Sequence, residues 1–157
     1  MAKEDSAGSA AKKIEVDPKL KPLEILVGEW ETEAINPLDA TKTTKGTVIF
    51  EFLEGGTWLV ERSGNEAPFP SSISIIGYND TTGNFTQHYF DSRGVGRVYE
   101  MNLLDNTWRL WRLAPGFSQR FKGIFSEDGN TITSHWEKAV DGLNYEHDFN
   151  LTFRRKK

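Results

Sequence analysis

The chain contains no cysteine, which excludes disulfide frameworks, thiolate nucleophiles and cysteine-held zinc at once. Histidine is scarce: His88, His135 and His147 are the full set. They fall on three different predicted strands, with no His-x-His pair and no His-Glu-x-x-His motif, so spacing gives no support to a metal site. No apolar run approaches the ~18 residues of a membrane-spanning helix. The opening stretch "MAKEDSAGSAAKK" lacks a hydrophobic segment of the secretory kind. The expectation is a cytoplasmic protein with no membrane partner. A basic surplus is also missing. The net charge is −4, and Arg154, Arg155, Lys156 and Lys157 at the C-terminus are all positive, leaving about −8 on the remainder. Such a body does not present a nucleic-acid surface. Gly94, Val95 and Gly96 open no predicted helix and so make no phosphate loop, and there is no Gly-x-Ser-x-Gly elbow.

What is present is a single-domain composition. With 157 residues, 37 % hydrophobic and 27 % charged, the chain is long enough to bury a sizeable core and too apolar for a disordered one. Residues 1–16, rich in Ala, Ser, Lys and acids without periodicity, are expected to form a disordered tail. Residues 17–157 are expected to form one β-barrel domain. Asp17 and Pro18 suit the start of a helical turn, and Pro22 limits it to one or two turns. Leu20, Leu23 and Leu26 share one side of that segment, predicting a short plug at a barrel mouth.

From there the chain reads as strands over residues 26–34, 43–53, 57–64, 72–78, 85–92, 95–104, 107–113, 117–125, 131–138 and 143–154. The connections "EGG", "NDTTGN", "RGVG", "DN", "APG", "EDGN" and "VDG" supply residues that tolerate positive φ. An antiparallel meander of this length protects its edges most simply by closing on itself. The predicted fold is therefore an all-β, ten-stranded up-and-down barrel with a short N-terminal helical plug. A two-sheet sandwich would need longer crossovers.

Alternation assigns most faces. Trp30, Thr32 and Ala34 oppose Glu29, Glu31 and Glu33, while Val48, Phe50 and Phe52 oppose Lys45, Thr47 and Glu51. The last strand puts Tyr145, His147, Phe149, Leu151 and Phe153 on one apolar face. Pattern does not separate His88 from Tyr89, or Trp108 from Trp111.

"LVGEW" at 26–30 carries the Gly-x-Trp signature of the first strand in lipocalins and related calycin barrels. The longer stretches "FEFLEGGTWLVER", "IGYNDTTGNFTQHYFDSRGVGRVYE" and "FSQRFKGIFSEDGNTITSHWE" resemble a bacterial family of calycin-like barrel domains of unassigned function, over about residues 22–155. The resemblance implies that Trp30 closes one end, with an arginine of the last strand, Arg154 or Arg155, over its indole; Arg154 is taken for that role. By architecture the chain is similar to nitrobindin-like barrels, ten-stranded proteins that bind haem through a histidine near the C-terminus. His147 lies in a similar part of the chain, which makes haem the leading named ligand and His147 the iron's ligand.

The candidate site follows from the inward face. An in-facing imidazole at His147 suits ligation or proton exchange, or else is a hydrogen-bonded core group. Tyr145, Tyr99, Trp111, Phe121, Trp136 and Phe149 would supply aromatic contact area, or would simply fill the barrel. Arg97, sharing a face with Tyr99, would meet an anionic group. The leading function is binding of a small hydrophobic or amphipathic molecule, with room for a homodimer. The alternative is a cofactor-independent cyclase, isomerase or lyase with His147 as general acid–base beside Tyr99, Glu61 or Asp91. A third reading has a solidly packed barrel that offers only its surface to protein partners.

Overall fold

The computed structural model describes residues 13–35 and 38–157. A 3-10 helix, Pro18–Leu26, precedes ten strands: β1 Gly28–Ile35, β2 Thr43–Phe52, β3 Leu59–Asn65, β4 Ser72–Asn79, β5 Asn84–Asp91, β6 Gly96–Leu104, β7 Thr107–Arg112, β8 Ser118–Phe125, β9 Thr131–Ala139 and β10 Glu146–Arg155. Each strand pairs with its sequence neighbour, and β1 also pairs with β10, so the antiparallel meander closes into a barrel. Closure leaves no unpaired edge. Turn chemistry keeps the strands adjacent: between β6 and β7, Asp105 and Asn106 stand at φ 50° and 57°, the two left-handed positions of a tight hairpin loop. No helix among the described residues is long and apolar enough to cross a membrane.

One barrel end is sealed. Asp17 accepts a hydrogen bond from the Lys19 N–H at 2.9 Å, Pro18 occupies the first helical position, and Pro22 withholds the N–H that a regular α-helix would use. The short helix so formed buries Leu20, Leu23 and Leu26 against Trp30, Val48, Phe50, Leu59 and Ile76. Of the expected tail, residues 1–12 lie outside the described residues. Val16 packs against the core, and the Asp17 N–H donates to the Gly56 carbonyl at 2.9 Å, so the chain is already held at the β2–β3 turn before the helix begins.

Trp30 is fully buried. Its indole N–H donates to the Leu26 carbonyl at 2.7 Å, and Phe125 meets it edge-on with centroids 6.5 Å apart. The arginine over its ring is Arg155, at 4.1 Å, which corrects the assignment to Arg154. Period-two alternation puts Arg155 on the face of Phe153, whereas Arg154 is exposed on the outer wall opposite Glu31. Arg155 also donates to the carbonyls of Val27 and Ile25, each at 2.6 Å. Gly28, at φ 126°, makes room for it, because a Cβ there would stand 3.0 Å from the guanidinium.

The last strand departs from its simple alternation. Phe149 pairs with Trp136 and His147 with Glu137, so a bulge falls between them and Asp148 is the additional residue. A bulge inverts the facing of everything on its far side. Phe149, Leu151 and Phe153 remain inside, and His147 turns to the outer wall.

Candidate functional site

The packed half of the barrel ends at Trp108 on β7, which reaches across the interior to meet Phe50 of β2 edge-on at 6.0 Å. Phe121 and Phe153 brace it at 4.8 Å and 5.8 Å. Beyond this floor the interior opens into a cavity of about 470 Å³, within the roughly 300–1,000 Å³ usual for small-molecule sites. The mouth lies at the end opposite the helix, where the β1–β2, β3–β4, β5–β6 and β7–β8 loops emerge. Leu38, Phe69, Arg93 and Phe117 line it.

The deep wall carries unusual polar groups. Glu61 faces inward between Phe50 and Ser74, its register partners on β2 and β4. Its Oε2 has no hydrogen-bond partner among the described residues. Burial pushes its carboxyl up to about 7, because a carboxylate set into the barrel wall has lost much of its water. Gln87 on β5 donates to Ser74 Oγ at 3.2 Å, which leaves its Oε1 unpaired. The Trp108 indole N–H is likewise buried without an acceptor.

Higher in the cavity the polar groups satisfy one another. Tyr99 donates to Gln119 Oε1 at 2.7 Å and meets Trp136 edge-on at 5.7 Å. At the rim, Tyr89 donates to Asp91 at 2.8 Å and Arg93 donates to the same oxygen at 2.7 Å. Hydrogen bonding from Arg93, more than that from Tyr89, holds Asp91 well below the usual carboxylate range. Burial first, and then its bond to Asp91, pushes the Tyr89 phenol up. Arg97 lies over the Phe117 ring at 5.1 Å and beside Tyr99. It lines the cavity and forms no ion pair among the described residues.

The cavity therefore brings together Tyr99, Arg97, Phe121, Trp136, Phe149 and Glu61. It does not include His147, Tyr145 or Trp111. The bulge leaves His147 exposed on the outer wall, its ring 6.4 Å from that of His135. Tyr145 precedes β10 and lies under the Arg120 guanidinium at 3.9 Å; Arg120 is itself bonded to Glu137 outside the barrel. Trp111 pairs with Glu100 and Arg120 on the outer wall, and Trp108 takes the inward position. Asp91 is committed to the rim network. Sequence reasoning passed over Gln87 and Ser74 and left Trp108 undecided against Trp111. The alternation of Phe85, Gln87 and Tyr89 was the available signal for the first.

The residues present do not fit haem held as the resemblance implies. Neither His147, His88 nor His135 lines the cavity, so no imidazole is available there to an iron. Among the described residues no group of three or more His, Asp and Glu is arranged to hold a metal ion.

No family model and no curated protein matches the chain. Among solved structures it is similar to the crystal structure of Rv2717c from M. tuberculosis, which covers 91 % of this chain and 100 % of that one, with a TM-score of 0.64 and 15 % identity. At that identity the likeness speaks to the barrel fold alone.

Proposed function

We propose that this barrel binds a small amphipathic molecule, with its apolar body among Phe121, Trp136 and Phe149 and an anionic group at the mouth on Arg97. The observation that carries the reading is a barrel sealed at one end and open at the other into an aromatic cavity. Arg97 supports the anionic end: a cavity-lining guanidinium without a carboxylate partner favours an acid brought by the ligand. The cavity also weighs against a solidly packed interaction module.

The enzyme reading loses its histidine. It keeps one supporting observation, the Glu61 carboxyl raised to about 7, where general acid–base groups work. Proton transfer of that kind needs a second group free to act, and Tyr99 is engaged with Gln119. Binding is the better supported reading.

The test is a titration with 2-naphthoate, followed by quenching of tryptophan fluorescence. Expected is saturable one-to-one binding, weakened at least about tenfold by Arg97→Leu through loss of a charge-assisted contact, and unchanged by His147→Ala. Wild-type protein that does not saturate, or binding abolished by His147→Ala, would overturn the reading.

A further inference from the structure

Three polar atoms that are buried without partners among the described residues belong to side chains lining the same cavity: Glu61 Oε2, Gln87 Oε1 and Trp108 Nε1. Folded proteins pair nearly all such atoms, and an exception calls for a physical explanation. Two of the three are acceptors on nearby strands, linked through Ser74: Glu61 is its register partner and Gln87 donates to it. With Glu61 ionised, two unpaired acceptors grouped around Ser74 repel a ligand carboxylate and attract an O–H or N–H.

The register gives the spacing. Phe50, Glu61, Ser74, Tyr89 and Arg97 occupy one row across β2 to β6. Barrel strands tilt by about 35–45°, so such a row climbs along the barrel as it crosses strands. This one rises from Phe50 in the packed floor to Arg97 at the mouth. Glu61 and Arg97 are three interstrand steps apart, about 14 Å along the curved wall, and both side chains reach inward to shorten the gap. A bicyclic aromatic body spans that interval, with Phe121 and Trp136 beside it.

We infer that the ligand is an aromatic acid carrying a hydroxyl or N–H at its far end, bound with the acid at Arg97 and the donor on Glu61 and Gln87. This rests on the amphipathic-ligand reading above and adds the chemistry of the inner end. The arrangement selects against simple aromatic or fatty acids, whose apolar ends leave the two acceptors unpaired.

The experiment compares 6-hydroxy-2-naphthoate with 2-naphthoate by calorimetry on the full chain. The two probes share the acid and the ring, so their difference isolates the inner end. Wild-type protein is expected to prefer the hydroxylated probe by at least about tenfold. Glu61→Leu is expected to bring the two affinities within about twofold of each other. Gln87→Met, which removes the other acceptor from a separate strand, is expected to lower the preference at least about threefold, so the outcome does not hang on one variant's folding. Equal affinities in the wild type would overturn the inference and leave the amphipathic-ligand reading standing. Failure of both probes to bind would overturn both.

Discussion

Glu61→Gln is expected to remove a loss of about 3 kcal/mol that the wild-type protein suffers as pH rises from about 4 to about 8. Burial raises the Glu61 carboxyl from 4.5 to about 7, so the folded chain retains a proton that the unfolded chain has already released. Stability contributed by this group is therefore full below about 4.5, declines as pH climbs, and levels off above about 7. Each unit of difference is worth about 1.36 kcal/mol, which gives the magnitude. Glutamine fills the same space without a titrating proton. Urea midpoints of both proteins across this pH range, compared as a difference, cancel the other carboxylates. A flat difference would mean that water filling the cavity solvates the Glu61 carboxyl as fully as bulk water does, and that the barrel wall does not raise it.

At the sealed end, Trp30→Ala is expected to cost about 3–5 kcal/mol, the range for deleting a fully buried large aromatic side chain. Three partners lose their contact together: the Leu26 carbonyl, the edge-on ring of Phe125 and the Arg155 guanidinium stacked above. Pro22 interrupts regular hydrogen bonding in the helix. Its final turn is therefore held by the Arg155 bonds to the Ile25 and Val27 carbonyls and by the packing of Leu23 and Leu26, and Trp30 sits under both. A loss of this size is a large share of a typical domain's stability. Chemical denaturation with an unchanged denaturant slope would measure it. A loss below about 1 kcal/mol would mean that the helix and Arg155 collapse into the space, and that the end is not held by Trp30.

The fold was legible because its determinants are local. Alternation in β1, β2 and β8, together with Gly, Asn and Asp at the turns, dictates hairpins, and hairpins in unbroken series close into a barrel. Leu20, Leu23 and Leu26 disclosed the plug for the same reason. The aromatic lining was partly legible: Tyr99, Phe121, Trp136 and Phe149 follow period two without interruption. His147 was not, because a single additional residue at Asp148 inverts every facing beyond it and leaves no mark in composition. Trp111 and Trp108 differ by an odd number of positions in a strand that is bulky on both faces, so the choice between them rests on register with β6 and β8. Glu61 was offered by the sequence only as an acid to stand beside His147. Its lack of a partner is a fact of three neighbouring strands and appears only once they are assembled.

The chain's five tryptophans divide among three environments. Trp30 lies at the sealed end, tied to Leu26; Trp108 and Trp136 line the cavity; Trp58 and Trp111 stand outside it. The most direct measurement is therefore a two-dimensional NMR titration of the indole N–H signals with 2-naphthoate. The signals of Trp108 and Trp136 are expected to shift together and saturate, with those of Trp30, Trp58 and Trp111 unmoved. Shifts confined to Trp58 or Trp111, or no shift at all, would contradict a ligand site inside the barrel.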